Sequence, residues 1–261
     1  MEKIIYLQFF ASRVEAEARI NDIPVAKSHL GEQKTAGIPV RQYINEGINR
    51  IELRAQPNGQ ALSDSAELEL RLAVFQEGEP LKFHAGREFA RLRPVLNPLT
   101  PVPFSVFADA SVDKGSGGNW AWAQAPVLDM ARFRGALDNY VSRLAQLFAA
   151  RDWQGLAQET KSRMTEDATA YAGVPLEARL ADLRQLFTLG KDEQWRPLPV
   201  DPQKMIYRIA AGGRLVELLG ADGLPALRTW CADILRPYKT PGYCQFPALV
   251  GVLKDRFAVL R

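Results

Sequence analysis

The chain has 261 residues, of which 47% are hydrophobic and 24% are charged, and its formal net charge is +3. This composition is typical of a soluble, core-forming protein, and the length allows one large domain or two ordinary ones. No apolar run is long enough to cross a bilayer as a helix, so we expect no membrane partner.

The charge is divided unevenly along the chain. Residues 1–130 contain 14 basic and 16 acidic side chains, whereas residues 131–261 contain 19 basic and 14 acidic ones. The basic residues are scattered singly, but nucleic-acid binders usually concentrate them on one face, so we expect no nucleic-acid partner. The basic second half either attracts an acidic protein partner or is an ordinary solvated surface.

The chain begins with MEKIIYLQFFAS, in which Lys3 precedes a short apolar run as in a signal peptide. Gln8 interrupts that run, and RVEAEARI follows at once with alternating charge. We interpret the segment as the first strand of the fold and expect a cytoplasmic protein. The two cysteines, Cys231 and Cys244, fit thiols in a reducing compartment.

Residues 1–127 show the two-residue alternation of β-strands, from IIYLQFF to WAWAQAP. In AELELRLAVF, Leu68, Leu70 and Leu72 alternate with Glu69 and Arg71, which predicts a strand with one buried and one solvated face. Many short strands separated by turn residues predict an antiparallel β-sandwich over this range.

Two turns within residues 18–55 carry a resemblance to a known family. Asn21-Asp22 forms the first turn, and Gly47-Ile48-Asn49 the second. Gly47 can adopt a positive φ, and the Asn49 side chain can bond the backbone of its own turn, so both suit a corner between strands. In this order the segment resembles part of the jelly-roll domains found as accessory modules in sugar-processing enzymes. The resemblance implies a β-sandwich and assigns no sugar site.

From Asp129 onward the apolar spacing changes to three or four residues, which predicts amphipathic helices. Asp152 suits the N-cap of a second helix, and Pro175 and Gly190 suit the two ends of a third. The stripe of the first helix consists of Phe133, Leu137, Val141, Leu144 and Phe148.

Strand-like runs return after Gly190, with predicted hairpins at Gly212-Gly213 and at Lys254-Asp255. Helices followed by a β-meander over 128–261 predict helices packed on a curved antiparallel sheet. This order resembles the cone-shaped, cystatin-like domain of the nuclear transport factor 2 superfamily, in which helices and sheet enclose a pocket. The whole chain is thus predicted as a two-domain α+β protein, with domains 1–127 and 128–261.

The sequence assigns no catalytic residue, metal ligand or cofactor. His29 and His84 are the only histidines, and neither accompanies a nucleophile elbow or a metal-binding spacing. The glycines of DKGSGGNW lack the ending of a phosphate-binding loop. Trp120 and Trp122 share a face at two-residue spacing, which fits either a sugar-stacking platform or the edge of a core.

The resemblance to the cone-shaped domain implies a site in the concavity of the sheet. Glu217, in the apolar run RLVELLG, is the candidate for a buried base there, or is an ordinary residue on the outer surface. Arg208, Arg214 and Arg228 are predicted to lie on neighbouring strands. They either form one face that binds an acidic protein or are exposed to solvent. The predicted binding residues are Trp195, Tyr207, Arg208, Arg214, Glu217, Arg228 and Trp230.

The leading hypothesis is a non-catalytic bacterial protein-binding factor, such as an accessory, adaptor or toxin-neutralising immunity protein. The alternatives are a small-molecule enzyme of the hydrolase, isomerase or dehydratase type, a carbohydrate-active protein, and a ligand carrier that uses the second domain's pocket. Pocket shape distinguishes them, because a deep pocket favours an enzyme or carrier and a shallow, filled one favours a protein partner.

Overall fold

The computed structural model is a mixed α+β fold whose sheets are all antiparallel. The structure describes residues 3–29, 32–55, 62–171, 173–188, 195–231 and 242–261. In these ranges 15 strands form four sheets, and five α-helices follow residue 120. The chain divides into two compact units, 1–120 and 121–261, and each is described by itself.

The first unit consists of two four-stranded sheets, ordered β4-β1-β6-β7 and β3-β2-β5-β8. Its strands are β1 (Lys3–Ser12), β2 (Ala16–Ile20), β3 (Ile23–Ser28), β4 (Gln33–Pro39), β5 (Gly47–Ala55), β6 (Glu67–Gln76), β7 (Arg87–Leu92) and β8 (Phe104–Val112).

One buried apolar cluster contains alternate residues from both sheets of the first unit. Because side chains alternate along a strand, every second residue lies on the same face. The spacing of the leucines in β6 therefore predicted which of its residues join this cluster. Its members include Leu7, Phe9, Leu68, Leu70 and Leu72 from one sheet and Ile20, Ile51 and Leu53 from the other.

The prediction that one face of β6 is exposed to solvent is wrong. Glu69 and Arg71 are only 5% and 3% exposed. Arg71 donates to Gln8 Oε1 at 2.6 Å and to Glu88 Oε2 at 2.6 Å, and it also reaches backbone carbonyls of the segment that precedes β7. That segment covers the outer face of the strand. Alternation identifies the two faces of a strand, but it cannot tell whether a loop covers the polar one.

The corner predicted at Gly47 and Asn49 is confirmed. Gly47 has a φ of 85°, and the buried side chain of Asn49 accepts from Asn45 N at 2.8 Å. The same amide donates to the carbonyls of Asn45 and Gly47 at 2.8 and 3.1 Å and accepts from Asn21 Nδ2 at 2.8 Å. All of these partners belong to the turns that flank β2 and β5, so Asn49 connects two corners of the same sheet.

The second unit contains a four-stranded sheet, ordered β10-β11-β14-β15, and a three-stranded sheet, ordered β13-β12-β9. Its helices are α1 (Ala121–Gln124), α2 (Met130–Ala149), α3 (Trp153–Glu159), α4 (Lys161–Ala170) and α5 (Leu176–Thr188). Its strands are β9 (Trp195–Pro197), β10 (Ile206–Ala210), β11 (Leu215–Leu219), β12 (Leu227–Cys231), β13 (Gly242–Phe246), β14 (Leu249–Leu253) and β15 (Arg256–Val259).

The strand predicted in WAWAQAP is wrong, because its centre forms the short helix α1. Alternating alanines also suit a helical turn, since alanine has the highest helix propensity. Trp120 and Trp122 are both buried, and Trp120 Nε1 donates to the carbonyl of Ile44 at 2.7 Å. Neither indole is therefore available as a stacking platform.

The predicted stripe of α2 is confirmed from Leu137 to the end of the helix, where Leu137, Val141, Leu144 and Phe148 are buried. Asp152 caps α3 by accepting from the backbone of Gly155 at 2.9 Å. The sequence predicted one second helix, whereas the structure has two, α3 and α4, which are separated at Thr160. Gly190, the predicted end of the third helix, lies outside the described residues.

Both predicted hairpins occur in the four-stranded sheet. Lys254 and Asp255 have positive φ values of 50° and 61° and form the two-residue turn between β14 and β15. The turn between β10 and β11 is longer than predicted, because Ala210 pairs with Leu215 and four residues lie between them. Among the residues described, no helix combines the length and apolarity needed to span a membrane.

We expect Asn49→Ala to lower the free energy of unfolding of the first unit by about 2 kcal/mol, because buried backbone groups lose their hydrogen-bond partners. Urea unfolding followed by circular dichroism measures the change. Asp64→Ala, at an exposed position of the same unit, is the matched control and should leave the midpoint unchanged. Equal midpoints for both variants would contradict the corner role of Asn49.

Candidate functional site

Arg208 and Glu217 form a cross-strand ion pair between β10 and β11. They are register partners, and Arg208 Nε and Nη2 both lie 2.5 Å from Glu217 Oε2. Glu217 is 7% exposed, whereas its neighbours Val216 and Leu218 belong to the apolar cluster that α2 contacts. Because side chains alternate along a strand, Glu217 lies on the face of β11 opposite to that cluster. It is therefore neither solvated nor directed into a space below the helices.

Tyr207 connects β10 to helix α2. Its hydroxyl donates to Asp138 Oδ1 at 2.7 Å, and the guanidinium carbon of Arg134 lies 4.3 Å from its ring centroid. Burial, the hydrogen bond to Asp138 and the negative charge of that carboxylate raise the pKa of Tyr207 well above its ordinary value. The phenol is thus held neutral as a structural donor.

The three predicted arginines do not share one face of neighbouring strands. Arg208 lies on β10, whereas Arg214 lies in the turn after it and donates to the carbonyl of Ala125. Arg228 lies on β12, in the other sheet, and donates to Asp222 Oδ2 at 2.7 Å. Partial burial opposes ionisation of Asp222, but the hydrogen bonds from Arg228 and from the Leu224 amide, together with the charge of Arg228, outweigh it, so the pKa of that carboxyl is below its usual value. The hairpin pattern identified the strands but not their separation into two sheets.

Trp230 forms an arginine–aromatic pair on the three-stranded sheet. Its register partner on β9 is Arg196, whose guanidinium carbon lies 4.9 Å from the indole centroid. Trp230 is half-buried and Arg196 is exposed, so the cation faces solvent above the ring. The backbone of Trp195 pairs with Cys231, but the side chain of Trp195 lies outside the described part of the structure.

A cavity of about 290 Å³ lies within the second unit, between helices α2 to α5 and the strands that they cover. Three phenylalanines line it: Phe148 lies 5.6 Å from Phe187 and 5.0 Å from Phe246, measured between ring centroids. Met164 and Leu183 contribute further apolar surface from α4 and α5. The cavity is thus an apolar space with an aromatic wall.

Four charged residues also line this cavity, two on α4 and two on α5. Arg163 is held by the Pro247 carbonyl at 3.2 Å and by Asp167 Oδ2 at 3.8 Å. Arg179 is half-buried, and its Nε is shielded from solvent without a hydrogen-bond partner. Asp182 is exposed. In the described ranges, no group of three His, Cys, Asp or Glu residues is arranged to hold a metal ion.

Of the seven predicted binding residues, the six whose side chains the structure describes do not line the cavity. The sequence nevertheless contained a signal for it. Arg179 lies four residues before Leu183 on α5, so both occupy one side of the helix. A basic residue beside the apolar stripe of a helix is usually exposed to solvent. Only the structure shows that this one lines a cavity instead.

Comparisons with models of protein families, with curated proteins and with solved structures found no match. No relative therefore supplies a set of catalytic or ligand-binding residues for this chain.

The raised pKa of Tyr207 predicts an alkaline loss of stability. Below a pH of about 10, the pKa of tyrosine in the unfolded chain, the neutral phenol of Tyr207 makes its full contribution to the free energy of unfolding. This contribution is lost as the pH rises towards the higher pKa of Tyr207 in the folded protein. Above about pH 10 we expect the unfolding free energy of the wild type to fall more steeply than that of Tyr207→Phe, by up to about 1 kcal/mol per pH unit after allowance for partial exposure.

Urea unfolding at a series of alkaline pH values measures this difference. Asp138→Asn removes the accepting carboxylate and should flatten the pH dependence in part, because the phenol loses its main charged neighbour. Identical slopes in the wild type and both variants would show that Tyr207 ionises equally in the folded and unfolded states.

Proposed function

We propose that this chain is a non-catalytic binding protein that takes up a small, largely apolar ligand in the cavity of the second unit. The cavity of about 290 Å³ carries the proposal, because it approaches the lower end of the roughly 300–1,000 Å³ typical of ligand pockets. Its wall of Phe148, Phe187 and Phe246 offers polarisable apolar surface, as such pockets usually do. By the pocket-shape criterion, this geometry favours a carrier over a surface-binding module.

The position of Glu217 favours a carrier over an enzyme. The enzyme hypothesis needs this carboxylate in the pocket as a proton acceptor. Glu217 does not line the cavity, and its charge is compensated by Arg208 at 2.5 Å on the opposite face of the strand. A carboxylate in that position has no access to a ligand held among the helices.

We further propose that the first unit is a jelly-roll-like β-sandwich and the second a cone-shaped domain with a helix-covered pocket, corresponding to domains 1–127 and 128–261 of a cytoplasmic protein. The apolar cluster common to two four-stranded sheets supports the first part. The cavity between helices and strands supports the second.

A protein partner is the second candidate function, with an adaptor or immunity protein as its form. The observation that favours it is the exposed guanidinium of Arg196 above the half-buried indole of Trp230. Arginine and tryptophan are enriched among the residues that dominate binding energy at protein interfaces. An exposed cation in this position suits a partner with an acidic patch.

The ligand proposal predicts that a side chain large enough to fill the cavity prevents ligand binding. We expect 1-octanol to shift the amide NMR signals of residues around the cavity, and Met164→Trp to abolish the shifts by filling the space. Thr165→Trp adds the same indole at the neighbouring, exposed position of α4, so its shifts should match the wild type. Octanol shifts that survive Met164→Trp in a folded protein would refute the cavity as the binding site.

The partner proposal predicts a charge-dependent complex. A stoichiometric partner purified on the wild-type chain should bind Arg196→Glu at least tenfold more weakly, because the substitution reverses an exposed interface charge. Arg256→Glu, at an exposed position of β15, controls for the change in net charge and should bind normally. Failure to recover a stoichiometric partner, or equal binding by both variants, would count against this function.

A further inference from the structure

Arg179, a cationic side chain that lines the cavity of the second unit, is not neutralised by any side chain in the described ranges. The Arg179 side chain makes no hydrogen bond or ion pair with any residue in the described ranges, and its Nε is shielded from solvent. A guanidinium has five N–H donors and is always charged in proteins. Shielding one of these donors without an acceptor is costly, and an acceptor supplied by a ligand would remove that cost.

The other charges at the cavity differ from Arg179 in this respect. Arg163 is neutralised by Asp167 and also donates to the carbonyl of Pro247. Asp182 lies on the same helix as Arg179, but it is exposed, so water solvates its charge. The position beside Arg179 therefore favours an added negative charge more than any other part of the lining.

We infer that the ligand of this cavity is an amphipathic anion, a medium-chain or aromatic carboxylate whose head group pairs with Arg179 and whose apolar part lies against Leu183 and the phenylalanine wall. This inference rests on the proposed function. A carboxylate matches the guanidinium fork and can accept two parallel N–H bonds from it. The apolar part gains the contacts that an empty cavity lacks.

The size of the cavity sets the size of the ligand. At roughly 30 Å³ for a group the size of a water molecule, a cavity of about 290 Å³ holds on the order of ten non-hydrogen atoms. Octanoate has about this size, and 1-octanol has the same chain without the charge. The pair separates apolar uptake from recognition of the anion.

Calorimetric titration of the full chain with octanoate, 1-octanol and octylammonium tests the inference. We expect octanoate to bind the wild type at least tenfold more tightly than octanol, and octylammonium to bind most weakly. Arg179→Gln should remove the advantage of octanoate and leave the dissociation constant of octanol within about twofold. Arg184→Gln removes an exposed arginine of the same helix that does not line the cavity, so it should retain the wild-type order.

The outcomes separate this inference from the function on which it rests. If octanol binds, Met164→Trp blocks it and octanoate has no advantage, the anion inference is wrong and the apolar cavity remains. A preference for octylammonium, or an octanoate preference that survives in Arg179→Gln, also overturns the inference. If neither octanol nor octanoate binds, both proposals are wrong.

Discussion

The second unit depends on the burial of one helix face, the apolar stripe of α2, against the strands below it. Leu137, Val141, Leu144 and Phe148 are each almost completely buried, and full burial of such a side chain contributes about 1.5–3 kcal/mol. The stripe extends to Phe148, whose ring also contacts the rings of Phe187 and Phe246. The cavity begins at this end of the stripe, where α4 and α5 contribute charged residues together with apolar ones. The site is thus the part of the helix–sheet interface that side chains do not fill.

Elsewhere in the described ranges, the buried charged side chains form ion pairs. Arg19, which is fully buried, lies 2.6 Å from Glu17, and Arg208 lies 2.5 Å from Glu217. An unpaired buried charge is strongly destabilising, so such pairing is the ordinary condition for placing an arginine below the surface. Arg179 departs from this condition at a position that also lines a cavity. The departure gives the cavity a chemical preference that its apolar wall alone would not have.

The sequence predicted features that depend on local periodicity or turn chemistry. The stripe of α2, the Asp152 cap and the bonds of Asn49 follow from residues close in the chain, and the structure confirms them. Features that depend on distant contacts were missed. Glu69 and Arg71 are buried by contacts with residues 84–93, which alternation within β6 cannot reveal. The sorting of β10 and β12 into different sheets depends on long-range pairing.

The candidate site belongs to this second category, because a cavity is defined by side chains from several elements that do not fill a common space. The side chains around the cavity leave part of its apolar wall without contacts, and Arg179 Nε has no acceptor among the described residues. Both deficits raise the free energy of the folded unit, the second by about 1–3 kcal/mol for a fully buried donor and less at a half-buried arginine. An occupant that satisfies both stabilises the folded unit, by about 2.7 kcal/mol at a concentration 100 times its dissociation constant. Uptake of the proposed ligand would therefore be coupled to the stability of the helices around the cavity.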